Sequence, residues 1–379
     1  MKSEIEVSVV LPCLNEEDTI ATCIRKAKEV FVKEGINGEI IIADNGSTDC
    51  SRAIAEEAGA RVVSEPQKGY GAAYLCGLQE AEGRFIVIAD SDNTYDLYDI
   101  PKFLKSLREG CDFVIGSRFK GEIKKGAMFW PHRYLGNPIL SGMTRLFFHT
   151  KLSDIHCGMR AFTKNAYRQM ELKSLGMEFA TEMVVAALRN NLKLAEIPVD
   201  YYPRRGKSKL IPLSDAWRHI RFMLLYSPVW LYFIPGAIGL IAGMLILLLL
   251  RKGPFLFLGR YWDLHVMVFG SILCILSYQI LNLGVYAHSY AISQGFLKSD
   301  PLTAFFQRRF SLEKGILIGV VLFFVGLGIN ISIFIEWLSK DFGALHRIRE
   351  SILAMTFLVI GLETIFSSFF ISLLFLRKK

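Results

Sequence analysis

The chain has few cysteines and no paired ones. Its seven cysteines form no C-x-x-C pair and have no histidine at metal-ligand spacing. Neither a zinc module nor a disulfide framework organises the fold, and reduced, mostly buried thiols are expected. No G-x-G-x-x-G follows the first apolar run, and no G-x-x-x-x-G-K-[ST] occurs anywhere. That removes dinucleotide oxidoreductases and P-loop NTPases. The first ten residues hold no hydrophobic run of signal-peptide length, so the polar part is expected to stay on the side of the membrane where it is made. Charge is sparse: 21% of the 379 residues are charged and 52% hydrophobic, with formal net charge +8. So apolar a chain can bury enough surface to offset ordering entropy, which excludes disorder. It is also too hydrophobic for an ordinary soluble enzyme.

What is present divides in two. Up to about Pro212 charges recur every few residues; beyond it, residues 229–250, 264–287, 315–338 and 352–376 are almost free of them. The first of these stretches carries no charge over 22 residues. At about 1.5 Å per residue it spans roughly 33 Å, the thickness of a bilayer core. Lys and Arg flanking the four stretches number thirteen on one side and six on the other. That bias predicts both termini and the polar domain on the cytoplasmic side of a cell or endoplasmic-type membrane. The basic balance is a membrane signature, with no nucleic-acid motif to compete.

Residues 1–213 alternate strand and helix patterns. Strands are expected at residues 7–11, 39–43, 61–64, 85–89 and 113–116, and helices at 18–32, 50–58, 70–81 and 100–108. Asn15 reads as the N-cap of the first helix. Fully apolar strands between helices predict a Rossmann-like, mostly parallel sheet covered on both faces, with ligands at the carboxyl ends of its strands. Acids stand at those ends: Glu16, Asp44, and the pair Asp90 and Asp92 around Ser91. Alternating strand residues point the same way, so both carboxylates can face one hard divalent cation, Mg²⁺ or Mn²⁺. The competing reading is two acids capping the next helix; their place directly after Ile86-Val87-Ile88-Ala89 favours the ion.

These pieces together resemble glycosyltransferase family 2 enzymes of the GT-A fold, specifically the membrane-anchored polyprenyl- or dolichyl-phosphate sugar synthases. The residues that carry the resemblance run from Val9-Val10-Leu11-Pro12 through Asn15-Glu16, Asp44-Asn45-Gly46-Ser47-Thr48-Asp49 and Lys68-Gly69-Tyr70-Gly71 to Asp90-Ser91-Asp92. Gly116-Ser117-Arg118-Phe119, His132-Arg133-Tyr134, Asp154-Ile155-His156-Cys157-Gly158 and Arg205-Gly206-Lys207-Ser208-Lys209 complete the set over roughly the first 230 residues. It implies a nucleotide-sugar site of Pro12, Asn15, Glu16, Asp44, Lys68, Asp90 and Ser91, with Asp90 and Asp92 on the metal. It implies a lipid-phosphate site of Arg118, Arg133, Arg205, Ser208 and Lys209, with Arg204 as a neighbouring alternative. Asp92, Arg118 and Asp154 are the implied catalytic residues; Asp154 could orient the phosphate, contact the sugar, act as base, or merely cap a turn. Leu14 stands where some relatives carry an aromatic side chain, so the base is left open between uridine and guanosine. The basic stretch at 204–209 also reads as a positive-inside flank, a role compatible with binding a lipid phosphate at the same interface.

Other residues read more plainly. His156 and Cys157 lack further metal ligands, His132 reads as a surface or interface histidine, and Glu178 and Glu182 as one solvated or core-rim helix face over 177–190. Residues 134–148 and 214–226 mix aromatic and aliphatic side chains with cations, as interfacial amphipathic helices do; core packing is the rival for the first. In the fourth apolar stretch Glu363 is expected to be satisfied by Gln279, Asn282 or Asn330.

The expected organisation is therefore a GT-A domain (1–213), an interfacial helix (214–228) and a four-helix transmembrane domain (229–379). The expected activity is inverting, metal-dependent transfer of a hexose from UDP-glucose to polyprenyl or dolichyl phosphate, with GDP-mannose as the alternative donor. Partners are nucleotide sugar, lipid phosphate and bilayer; nucleic acid is excluded and homo-oligomerisation left open. A non-catalytic nucleotide-sugar-binding scaffold and a transporter-associated domain are the rivals from other classes. Q-x-x-R-W is missing, which disfavours a processive polysaccharide synthase.

Overall fold

The computed structural model describes residues 4–205, 212–293 and 311–376. The chain divides into two compact units, Met1–Met223 and Leu224–Lys379.

In the first unit β1 (Val7–Cys13), α1 (Ile20–Glu34), β2 (Gly38–Asp44), α2 (Ser51–Glu57), β3 (Arg61–Ser64), α3 (Tyr70–Gln79), β4 (Phe85–Ile88), α4 (Ile100–Arg108) and β5 (Phe113–Ser117) follow the expected alternation. Val7, Val9, Val10, Ile86, Val87, Phe113, Val114 and Ile115 are fully buried, as strands covered on both faces must be. Helix α1 presents Ile20, Cys23, Ile24, Ala27, Val30 and Phe31 to the sheet and stops at Gly35, whose φ of 63° suits a residue without Cβ. Asn15 is not its N-cap. The helix starts after Thr19, while Asn15 takes a left-handed φ of 52° and accepts the Thr48 N–H at 2.7 Å.

Three elements lie beyond the expected ones: β6 (Arg160–Thr163), α6 (Lys164–Met170) and β7 (Leu194–Pro198). Helix α7 (Phe179–Arg189) fills the one expected at 177–190. The sheet has seven strands in the order β3-β2-β1-β4-β6-β5-β7. All pairings are parallel except those of β6, which runs antiparallel to β4 and β5. The expected mostly parallel sheet thus carries one reversed strand. Arg160 on that strand is 1% exposed, yet its guanidinium donates to the carbonyls of Ile155, Cys157 and Ala180 at 2.6–2.9 Å. Those three bonds make a buried charge tolerable.

Two further helices close this unit. A π-helical turn, His132–Gly136, leads into α5 (Asn137–Phe148), and α8 spans Pro212–Leu225. Leu140, Ser141 and Thr144 face inward, and Thr144 Oγ1 meets Met223 Sδ at 3.0 Å. On the outside Phe129, Trp130, Tyr134, Leu135, Ile139, Leu146, Trp217 and Leu225 are exposed.

The second unit holds α9 (Ile234–Leu250), α10 (Leu264–Ser293), α11 (Leu312–Ser339) and α12 (Ile348–Leu376), with a short hairpin of β8 (Phe255–Phe257) and β9 (Arg260–Trp262) after α9. Val229–Leu250, Leu264–Ile292, Leu312–Ser339 and Ile348–Leu374 are long and apolar enough to cross a membrane. Helices α11 and α12 touch at Gly319, where a Cβ would lie 2.7 Å from the Gly361 carbonyl oxygen. Helices α10 and α12 share a polar seam: Ser271 with Thr356 at 2.7 Å, Tyr278 with Thr364 at 2.6 Å, and Asn282 donating to Glu363 at 3.4 Å. The partners are 85, 86 and 81 residues apart, so the two helices run parallel.

Candidate active site

The residues after β4 are fixed one by one. Tyr70, on the first turn of α3, donates its hydroxyl to Asp90 Oδ1 at 3.0 Å. Gly158 stands behind the other oxygen, where a Cβ would come within 2.4 Å of Oδ2. Tyr70 meets Tyr74 edge-on at 5.0 Å, and Tyr74 stacks on Phe179 at 5.5 Å, so the hydroxyl has little freedom. Burial first, and the Asp92 carboxylate second, push the Asp90 carboxyl from 3.8 up to about 6. Asp92 is 7% exposed; its Oδ1 accepts both the Thr94 N–H at 3.1 Å and the Thr94 hydroxyl at 2.6 Å. Its Oδ2 lies 3.1 Å from Arg204 Nη1. Between them Ser91 is structural: its hydroxyl donates to the Pro12 carbonyl and its own carbonyl accepts from Thr19 Oγ1 at 2.8 Å.

Two adjacent carboxylates, one made reluctant to ionise by burial and then by the other, form a hard-oxygen donor set that fits a divalent cation. Among the described residues no cluster of three or more His, Cys, Asp or Glu side chains could hold a metal ion. The aspartates are thus a partial set, of the kind Mg²⁺ or Mn²⁺ completes with water and phosphate oxygens.

The ends of β1 and β2 form the next wall. Asp44 caps its own turn, accepting from the N–H groups of Gly46 and Ser47 at 3.3 and 3.2 Å. Asn45 carries no signal of its own in the sequence, yet it organises this edge. Its amide donates to the carbonyls of Glu65 and Gln67, and its oxygen accepts the Gly69 N–H at 2.8 Å. Lys68 is thereby brought across the turn, and its ammonium donates to the carbonyls of Asn45 and Gly46 at 2.9 and 3.1 Å. Gly69 has φ 154°, and a Cβ there would lie 2.2 Å from the Leu175 carbonyl oxygen, so only glycine fits. Glu16, 9% exposed, donates its backbone N–H to Ser51 Oγ at 2.7 Å and presents its carboxylate to Arg204.

Arg118, the implied phosphate-binding and catalytic arginine, is a buried and paired side chain. It is 6% exposed and gripped by Asp154, with Nε donating to Oδ2 at 2.7 Å and Nη2 to Oδ1 at 2.8 Å. Asp154 has no exposed surface and also accepts the Arg118 backbone N–H at 3.1 Å. Glu196 sits behind, accepting from Ser153 N–H, Ser153 hydroxyl and Asp154 N–H at 2.7–3.1 Å. Of the roles open to Asp154, this geometry serves orientation of Arg118, whose guanidinium also lies 5.2 Å from the Tyr201 ring centre. Arg133 sits on the π-helical turn with its guanidinium 5.5 Å from the Tyr134 ring, and Arg205 is exposed. Ser208 and Lys209 lie outside the described residues.

His156 and His219 form a buried pair, ring centres 4.4 Å apart and edge to face. His219, on α8, shares a 2.8 Å hydrogen bond with Thr181 Oγ1, while neither ring nitrogen of His156 has a hydrogen-bond partner. Burial holds both below the usual histidine value, His219 at about 4. Glu182 is 7% exposed and no solvated rim residue: its carboxylate takes the N–H groups of Lys173 and Ser174 at 3.0 and 2.8 Å.

Known proteins resemble both parts of the chain. A profile described as Glycosyl transferase family 2 matches residues 8–170, and one described as Glycosyltransferase family 2 C-terminal transmembrane region matches residues 285–375. The low-salt glycan biosynthesis hexosyltransferase Agl6 of Haloferax volcanii is 38% identical over 366 residues, covering 96% of this chain and 87% of that protein. A dolichyl-phosphate hexose transferase of the same organism is 28% identical over 213 residues, covering 56% of this chain and 89% of its own length. Among solved structures, glucosyl-3-phosphoglycerate synthase from Mycobacterium tuberculosis, crystallised with Mn²⁺, UDP-glucose and phosphoglyceric acid, aligns with a TM-score of 0.48 at 22% identity over 58% of this chain and 78% of that one. The four apolar helices are a transmembrane region, and the sheet unit is a glycosyltransferase domain of the GT-A type. By its likeness along almost the whole length of a hexosyltransferase, this chain belongs to glycosyltransferase family 2.

Proposed function

We propose that this glycosyltransferase moves a hexose from a nucleotide sugar to a polyprenyl or dolichyl phosphate at the cytoplasmic face of a membrane, inverting the anomeric centre. UDP-glucose is the favoured donor and GDP-mannose the alternative. The observation that carries this reading is the meeting of opposite charges at the strand ends: Asp90 and Asp92 for the donor, with Arg204 and Arg118 both acting on the Asp90 carboxyl against the burial and the Asp92 charge that raise it. The dolichyl-phosphate hexose transferase among the relatives supports the lipid acceptor.

The chemistry suits such a site. A phosphate monoester has its second pKa near 6, so the acceptor is already an anionic nucleophile and needs little help from a base. Repulsion between the two anionic substrates is the larger obstacle. At about 4 Å and an effective dielectric near 20 it amounts to roughly 4 kcal/mol, about a thousandfold in rate. Arg118, aimed by Asp154, would hold the acceptor phosphate through the fork edge that Asp154 leaves open. Arg133, Arg205, Ser208 and Lys209 would add cationic and hydroxyl contacts to the same phosphate, while Pro12, Asn15, Glu16, Asp44 and Lys68 would bind base and ribose. A divalent ion on Asp90 and Asp92 would neutralise the charge of the departing diphosphate. The exposed side chains from Phe129 to Leu146, with Trp217, would seat this unit at a lipid interface, where the acceptor headgroup lies.

The test incubates the purified chain with a panel of labelled nucleotide sugars, Mn²⁺ or Mg²⁺, and polyprenyl phosphate. Label should enter the lipid fraction, be released by excess UDP or GDP according to the donor, and disappear with chelator. Transfer to a water-soluble acceptor with none to lipid would refute the reading.

A further inference from the structure

Arg204 occupies a position that the proposed reaction does not use, and the role assigned to it below rests on Asp90 and Asp92 being the donor-side acids. The backbone before it is pinned. Tyr201 bridges to Tyr95 and to Ile123, its carbonyl accepts the Lys124 N–H at 2.9 Å, and Tyr202 donates its N–H to the Thr94 carbonyl at 2.9 Å. From that anchor the Arg204 side chain enters the acid site. Nη2 donates to Glu16 Oε1 at 2.5 Å, and Nη1 lies 3.1 Å from Asp92 Oδ2. Its Nε is buried without a partner.

These contacts account for both oxygens of Asp92. Oδ1 is taken by Thr94 and Oδ2 by Arg204. An added cation on Oδ2 would sit beside the guanidinium on the same oxygen, and repulsion between the two positive charges favours displacement of the arginine. The arginine is not tightly locked: its two carboxylates are each held by a single nitrogen, one N–H is left unsatisfied, and its side chain is 24% exposed. We propose that Arg204 is the resident cation of the donor site, a competitor of the divalent ion for Asp92 that yields when the ion binds. A nucleoside diphosphate would compensate the released guanidinium, because its oxygens suit the planar fork that the carboxylates give up. Ion and nucleotide are then positively coupled through this one side chain, each raising the affinity of the other equally.

The experiment titrates Mn²⁺ into the full chain in nanodiscs and counts free ion by its electron paramagnetic resonance signal, first without nucleotide and then with UDP or GDP. If Arg204 holds Asp92 about nine-tenths of the time, Arg204→Met should bind Mn²⁺ about tenfold more tightly than the parent without nucleotide. Nucleotide should tighten Mn²⁺ less in that variant than in the parent. Arg204→Lys keeps the charge but loses the fork, and should recover several-fold of the gain. Equal or weaker Mn²⁺ affinity in Arg204→Met, with binding abolished by Asp92→Asn in both backgrounds, overturns the competition and leaves the metal reading standing. Tightening in Arg204→Met but none in Arg204→Lys reduces the effect to charge at a distance and also overturns it. Failure of every form to bind Mn²⁺, with or without nucleotide, overturns the competition and the metal reading together. Thermal melts establish that each variant is folded, and Arg204→Lys carries the test if Arg204→Met is not.

Discussion

Two arginine–carboxylate sites lie in the same unit and are built differently. Arg118 meets Asp154 through a two-bond fork, with side chains 8% and 0% exposed. Arg204 reaches Asp92 and Glu16 with one nitrogen each, at 24% exposure and with a buried N–H to spare. The first has every feature of a pair meant to stay closed. The second has those of a pair that can open. The sequence offers Arg118 to a phosphate and Arg204 only as a neighbouring alternative; pairing geometry separates a guanidinium fixed in place from a displaceable one.

The contrast can be broken most directly at Asp154. Asp154→Ala should strand a buried guanidinium and lower the stability of this unit by about 3–5 kcal/mol, read from thermal or denaturant unfolding. A melt close to the parent's would mean that the Arg118 site is as open as the Arg204 site. Asp92→Ala should do the reverse, cutting transfer of labelled sugar at least about a hundredfold while unfolding moves far less than in Asp154→Ala. Near-normal turnover would remove Asp92 from the chemistry.

A smaller effect comes from the histidine pair. His219 is held neutral at about 4 against an ordinary 6.5, so the unfolded chain binds the extra proton between those values. Stability from this group is complete above about pH 6.5 and is lost as pH falls towards 4. Between pH 7 and pH 5 the loss should be about 2 kcal/mol for this group alone. His219→Gln, which can still bond Thr181, should flatten that slope in denaturant titrations at the two pH values; an unchanged slope would assign it elsewhere. Last, Tyr70→Phe removes one hydrogen bond from Asp90 and should reduce turnover five- to tenfold, about 1 kcal/mol, without altering the melt by more than a degree or two. No change would mean that Gly158 and the surrounding packing fix Asp90 unaided.

Much of the sheet was legible because its signals are local. Strand β3 and helix α4 end where expected, since β-branched runs and apolar periodicity stop there at Gly, Glu and turn residues. Strand β6 was not legible. Its four residues include Arg160, and a buried arginine satisfied by three backbone carbonyls, two just before it and one on α7, leaves no pattern along the chain. The acids after β4 could be found from their place at a strand end. Two of their holders, Tyr70 and Arg204, could not, being 20 and 112 residues away from the acids they touch. Only Thr94 lay within reach of a local rule, as an Asx-type turn partner. Asn15 failed as a cap for a related reason: its amide is claimed by Thr48 across a loop, a competitor no helix-start rule includes.

The seam between α10 and α12 sets a limit on how the membrane unit can rearrange. Its three linked pairs join two levels of the parallel helices, Ser271 to Thr356 at one and Tyr278 and Asn282 to the adjacent Thr364 and Glu363 at the other. Sliding one helix by a single turn, about 5.4 Å, would set hydroxyls and a carboxyl against hydrocarbon side chains, each mismatch costing on the order of a kcal/mol or more. Whatever motion accompanies turnover, these two helices should move together and not slide past one another.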